Sequence, residues 1–103
     1  MEITEITISI RDEDKLKAFV NVTFDDCFVV RGMKVIKGAS GYFVSMPSRK
    51  MSDGAYRDIA HPINNNFRAH IEREIMLEYK RLLESEGLEV EDDILKTIAA
   101  ISA

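Results

Sequence analysis

The stretch Phe28-Val29-Val30-Arg31-Gly32-Met33-Lys34-Val35-Ile36-Lys37 decides the fold. Read as extended chain, it places Val29, Met33 and Val35 on one face and Val30, Gly32 and Ile36 on the other. A strand apolar on both sides belongs at the centre of a sheet or under a partner. Upstream, Leu16, Ala18, Val20, Val22 and Phe24 line one face, with Lys17, Asn21, Thr23 and Asp25 mostly opposite, and Asp25-Asp26 makes the turn between the two strands. Further upstream, Ile6, Ile8 and Ile10 alternate with Thr7 and Ser9, the period of two of a half-buried strand, before the polar break Arg11-Asp12-Glu13-Asp14. Downstream, Gly38-Ala39-Ser40-Gly41 reads as a hairpin break and Tyr42 to Met46 as a fourth strand. Pro47 stops it, because proline has no N–H for a ladder.

Beyond Pro47 the pattern changes. Ser48 to Gly54 reads as a polar loop with an Asp53-Gly54 turn, and Tyr56 to His61 as a short extended piece that Pro62 keeps from turning helical. Asn64 or Asn65 can cap a helix, since a short side-chain oxygen accepts from an unpaired N–H. Phe67, Ile71, Ile75, Tyr79 and Leu82 then recur at helical spacing, with Arg68, Arg73, Glu74 and Arg81 on the other face, and Gly87 is a natural stop. These elements predict an α+β fold: an antiparallel sheet of four to five strands followed by one long C-terminal helix. Residues 1–86 form the domain, and residues 87–103 form an acidic tail. In the tail Ile94, Leu95, Ile98 and Ile101 read as a short amphipathic helix, free to dock on the body, pair with another chain or stay loose.

Charge is unevenly spread. The net charge of −4 conceals three blocks: residues 1–27 hold three basic and seven acidic side chains, residues 28–82 ten basic and five acidic, and residues 83–103 one basic and six acidic. A cationic middle between acidic ends keeps nucleic acid open as a partner. The acidic start Met1-Glu2-Ile3-Thr4-Glu5 does not read as a signal peptide, and no run approaches the ~18 apolar residues of a membrane span, so the expectation is a cytoplasmic protein. Cys27, the only cysteine, is expected as a small buried or half-buried apolar residue in a reducing compartment.

Chemistry of the catalytic kind has little to stand on. There is no glycine-rich phosphate loop, and His61 and His70 with Cys27 fall short of the four ligands of a structural zinc site. Cys27, His61 and Asp58 could be drawn as a nucleophile–base–acid set, but nothing in their spacing fixes such a geometry, and Asp58 and His61 are expected to serve loop hydrogen bonds. The reading is therefore no enzyme, no cofactor and no metal. The segment from Arg49 to Arg73 is more informative. It holds Arg49, Lys50, Arg57, Arg68 and Arg73 around a loop and a helix start, with Asn64, Asn65 and Asn66 beside them. Such groups suit phosphates and base edges, and Tyr56 and Phe67 could stack on unpaired bases, although Phe67 fits the core stripe better.

Three runs carry a resemblance. Phe28 to Ile36, then Gly41-Tyr42-Phe43-Val44-Ser45-Met46-Pro47-Ser48-Arg49-Lys50, then Tyr56-Arg57-Asp58-Ile59-Ala60-His61-Pro62-Ile63-Asn64 closely resemble the SpoVG family of bacterial proteins, with the likeness running from near Ile3 to about Leu83. The resemblance implies a small sheet followed by a helix, dimerisation through the sheet, DNA binding with RNA binding beside it, and a regulatory role in sporulation, septation or gene expression. It implies nucleic-acid contact by Arg49, Lys50, Arg57, Arg68 and Arg73, while Glu72, Glu74 and Glu78 dilute the positive field of the helix. The doubly apolar central strand suggests how a homodimer forms: one face closes on the helix, and Val29, Arg31, Met33 and Val35 meet a second chain. The alternative is a protein-interaction module of the septation or cell-division machinery that does not contact nucleic acid and recruits a protein partner through residues 88–103.

Overall fold

Four strands follow one another as an antiparallel meander in the computed structural model, which describes residues 1–102. They are β1 (Ile3–Ile10), β2 (Leu16–Phe24), β3 (Phe28–Gly38) and β4 (Gly41–Ser45), and they stand side by side in that order. A separate two-stranded ribbon, β5 (Ser48–Lys50) with β6 (Tyr56–Asp58), leaves the end of β4. The long helix α1 (Asn65–Ser85) and the shorter α2 (Asp92–Ser102) complete the chain. The α+β reading holds, with five of the six strands where alternation or turn residues placed extended chain. Ser48–Lys50, expected as loop, is a strand because it pairs with Tyr56–Asp58.

Alternation decides which face is buried. Ile8 stands opposite Val20, Val20 opposite Met33, and Val35 opposite Val44, so these side chains share the inner face. Against it lie Ile71, Ile75, Met76, Tyr79 and Leu83 of α1, together with Ile94 of α2, in one continuous core. Leu83, not the expected Leu82, closes the helical stripe. The outer face carries Ser9, Phe19, Lys34 and Ser45 in one cross-strand row, with Ile36 opposite Phe43 in the next.

The decisive strand departs from strict alternation at one place. Val20 pairs with Met33 but Val22 pairs with Val30, so β3 carries an extra residue there. Gly32, at φ +87°, takes the left-handed angle that this bulge requires. The parity of β3 reverses across it: Val30 turns inward and Val29 faces outward opposite Thr23. Val29 therefore does not share a face with Met33 and Val35, contrary to the reading from spacing.

The turns and caps follow their sequence signals. Asp25 and Asp26 both adopt left-handed angles in a tight turn that Cys27 N–H closes by donating to Phe24 C=O at 3.0 Å. That turn leaves Cys27 exposed, which corrects its expected burial. Asn64 caps α1, its Oδ1 accepting from Phe67 N–H at 2.9 Å. Gly87, at φ +70°, ends the helix, with Leu88 N–H donating to Leu83 C=O at 2.9 Å and Gly87 N–H to Glu84 C=O at 3.1 Å.

Of the three arrangements open for the tail, the structure shows docking on the body. Ile94 is 1% exposed, Lys37 Nζ donates to Glu91 Oε2 at 2.6 Å, and the Tyr42 hydroxyl donates to Glu91 Oε1 at 3.0 Å.

Candidate nucleic-acid interface

The β5–β6 ribbon is built by its turn. Gly54 N–H donates to Met51 C=O at 3.0 Å, Met51 N–H to Ala55 C=O at 2.7 Å, and Asp53 Oδ1 accepts from Ala55 N–H at 2.9 Å. At its root Ile59 N–H donates to Pro47 C=O at 2.7 Å. The register sets Arg49 directly opposite Arg57, Lys50 opposite Tyr56 and Ser48 opposite Asp58. Side chains alternate across a ribbon, so Arg49 and Arg57 share one face while Lys50 and Tyr56 share the other. Two like charges directly opposite each other on a strand pair cost about 0.2–1 kcal/mol. Neither arginine has a carboxylate within ion-pair distance among the described residues.

The two helical arginines stand apart from this pair in character. Arg68 lies in the first turns of α1 and Arg73 five residues on, which is about 140° around the helix axis. Arg73 is engaged on its own helix, with NH2 3.3 Å from His70 Nδ1 and Nε 3.9 Å from Glu74 Oε2. Glu72, one turn after Arg68, has its carboxyl held above the usual carboxylate range by burial, with Arg68 pulling the other way. The five cations thus fall into a facing pair on the ribbon, a lysine behind it, and two helical arginines on different sides of α1.

Beside the root of the ribbon lies an apolar groove of about 300 Å³. Phe24, Met33, Met46 and Phe67 line it, and His61 and Ile63 stand at its rim. Ile63 is 95% exposed, and Ile59 and Tyr56 are also exposed. Spacing did not single out this surface; its signal in the sequence is a pair of isoleucines, Ile59 and Ile63, flanking Pro62 between strand and helix. His61 uses Nδ1 on Pro62 C=O at 3.0 Å, the loop role expected of it.

The four residues expected at a dimer face are separated by the Gly32 bulge. Met33 and Val35, at 3% and 0% exposure, belong to the protomer's own core, while Val29 and Arg31 are exposed. No group of three or more His, Cys, Asp or Glu side chains is placed to hold a metal ion among the described residues.

The comparisons with known proteins fall on the sheet, the ribbon and most of α1. The SpoVG family model matches residues 1–81. A protein named "Putative septation protein SpoVG" from Myxococcus xanthus is 51% identical over 83 residues, covering 81% of this chain and 84% of that one. Its namesake from Bdellovibrio bacteriovorus is 53% identical over 87 residues, 84% of this chain and 81% of the relative. That from Agathobacter rectalis is 51% identical over 86 residues, 82% of this chain and 99% of the relative. The chain belongs to the SpoVG family.

Proposed function

We propose that this chain is a nucleic-acid-binding regulator of the SpoVG type, acting as a homodimer on DNA, RNA or both in septation, sporulation or gene expression, with no catalytic role. The observation that carries the reading is the Arg49–Arg57 pair, two guanidinium groups opposed on an exposed ribbon with no carboxylate within ion-pair distance among the described residues. Such a pair is unfavourable in isolation and becomes favourable against a phosphate, which guanidinium groups engage with paired N–H donors. A two-stranded ribbon is also a shape that a DNA groove admits. Lys50 on the reverse face, and Arg68 near the capped start of α1, extend the same chemistry to neighbouring phosphates.

The dimer reading has its own support. The groove and the exposed Ile59 and Ile63 offer a second copy an apolar seat next to the ribbon, and pairing brings two ribbons into one particle. Ile63→Asp is expected to lower the molar mass in light scattering to that of a protomer.

A mobility-shift titration tests the main reading. Binding is expected to weaken steeply with salt, because each neutralised phosphate releases counterions. Arg49→Glu with Arg57→Glu should remove the shift and leave the circular dichroism spectrum unchanged. Absence of binding at low salt across varied DNA and RNA refutes it. The alternative, a protein-interaction module of the division machinery, draws support from Leu88 and Leu95, which stay exposed around the docked tail. Capture of a septation protein that fails with Leu88→Asp and Leu95→Asp, by a chain that binds no nucleic acid, decides for that alternative.

A further inference from the structure

The sheet has two faces, and the core uses one of them. Ile75 and Met76 of α1 and Ile94 of α2 close the inner face, so both helices pack from that side. Register lays out the outer face. Phe19 stands between Ser9 and Lys34, with Ser45 beyond, and in the adjacent row Leu16, Ile36 and Phe43 stand side by side. Phe43 is 46% exposed and Phe19 is half-buried. Strand spacing of ~4.8 Å and a same-face step of ~6.7 Å put the two aromatic positions about 12 Å apart, diagonally across β3.

Each ring has a fixed setting. A Cβ on Gly38 would come within 3.1 Å of Phe43 Cε1, so the bare glycine gives that ring room to lie against the hairpin end of the sheet. The Arg11 guanidinium lies 5.2 Å from the centroid of the Phe19 ring. Lys34 occupies β3 between the two aromatic positions. Neither Arg11 nor Lys34 has a carboxylate within ion-pair distance among the described residues. Glu5, opposite Thr23, lies two same-face steps from the Phe19 row, and at the Phe43 corner Lys15 and Lys17 accompany Asp14. A second copy laid over this face would take Lys34 and Arg11 out of water with no opposite charge to meet them, which is costly. A partner that is anionic and carries flat apolar groups suits the cations and the rings together. A duplex keeps its bases stacked inside, whereas an unpaired strand can offer them to aromatic side chains.

We propose that the outer face of the sheet is a stacking platform for single-stranded nucleic acid, with Phe19 and Phe43 each taking an unpaired base and Arg11 and Lys34 the phosphates between them. This platform rests on the reading of the chain as a nucleic-acid binder, but not on the Arg49–Arg57 pair. The two surfaces divide the substrates: the ribbon takes the duplex, and the sheet face takes the unpaired strand.

Fluorescence anisotropy of the full-length chain with labelled oligouridine, oligothymidine and a mixed-sequence duplex provides the test. Phe19→Leu and Phe43→Ala should each weaken single-strand binding by about fivefold or more and leave duplex binding unchanged. Arg49→Glu with Arg57→Glu should weaken duplex binding more than single-strand binding. A strand carrying iodouridine should cross-link under ultraviolet light to the peptides that hold Phe19 or Phe43. Unchanged single-strand affinity in both phenylalanine variants, an equal loss on the duplex, or cross-links confined to the ribbon each overturns the platform and leaves the ribbon reading standing. Selective single-strand loss in those variants, with normal duplex binding by the arginine variant, upholds the platform and overturns the ribbon. A fall in molar mass on Phe43→Ala assigns the face to a second copy and overturns the platform. Should Phe19→Leu unfold the chain, Phe43→Ala and the cross-link map decide.

Discussion

Replacing Arg57 with glutamate should strengthen the ribbon while weakening its binding, and the opposite signs make the prediction sharp. In the native ribbon Arg49 and Arg57 are direct cross-strand neighbours of like charge. Glutamate at 57 converts a repulsive pair into an attractive one; each contribution is about 0.2–1 kcal/mol. Their sum is about 0.4–2 kcal/mol, and solvent screening of an exposed pair favours the lower half of that range. The ribbon packs little against the rest of the molecule, so global melting is a poor reporter. Hydrogen exchange at the ribbon amides reads the local opening directly, and a gain of about 0.5–1 kcal/mol slows exchange by roughly two- to fivefold. The gain should vanish in ~1 M salt, where the screening length falls to ~3 Å. In the same protein, loss of one phosphate contact per protomer, two per dimer, should flatten the dependence of log K on log salt by about 1.8 for duplex DNA. A variant that binds normally, or a ribbon that loosens on the substitution, refutes the assignment of this pair to phosphate.

Other outcomes follow from individual contacts. Asn64→Ala removes the acceptor for Phe67 N–H and should cost about 1 kcal/mol, read as a midpoint shift in urea unfolding. Ile75→Ala, at a side chain with no exposure, should cost about 2–5 kcal/mol in the same measurement. Gly32→Val forces a β-branched residue into φ +87°, so its loss of stability should exceed that of Val29→Ala on the same strand. Acid should release the tail. The Glu91 carboxyl is held below the usual carboxylate range by its hydrogen bonds from Lys37 and then Tyr42, so its contribution is complete above the ordinary carboxylate value of about 4.3 and is lost as pH falls through the depressed folded value. Exchange at the Tyr42 amide, corrected for its intrinsic rate, should rise over that acidic window and stay level at neutral pH.

The parts of the fold that were legible in the sequence are those with a period. Ile6, Ile8 and Ile10, and the alternation from Ala18 to Phe24, reveal β1 and β2 because a half-buried strand must alternate; Leu16, expected on the same face, parts from it at a second irregularity and stands opposite Ile36. The stripe from Phe67 to Tyr79 reveals α1 for the same reason. Period fails where one residue is added: nothing before Gly32 announces that Val29 and Met33 part company, since the bulge depends on how β2 is paired. It also fails at Ser48–Lys50, a strand with no apolar alternation because neither of its faces enters the core. The site divides in the same manner. That Arg49 and Arg57 are basic is plain in the sequence, whereas their direct opposition is a property of register. The amphipathic tail was visible, but its docking rests on Lys37 and Glu91, which are 54 residues apart.

Whether the net negative charge of the chain opposes the proposed binding of a polyanion is a question of distance. The acidic tail grips the sheet at Tyr42, and Glu91 there faces Lys37, so part of its charge is already compensated. The ribbon leaves the opposite end of β4, beyond Ser45. Tyr42 to Ser45 along a strand is about 10 Å, and the ribbon extends past that. At physiological ionic strength the screening length is about 8 Å, so exposed charges at the two ends of β4 influence each other weakly. Phosphates at the ribbon would therefore meet Arg49 and Arg57 as a local field. It follows that salt acts on this protein in two ways: lowering it strengthens the pull of the arginines and also lengthens the reach of the acidic tail. Neutralising Glu89, Asp92 and Asp93 to their amides should consequently raise nucleic-acid affinity at low salt and leave it almost unchanged at physiological salt. An equal gain at both salts would place the tail within a screening length of the bound phosphates and refute the separation argued from β4.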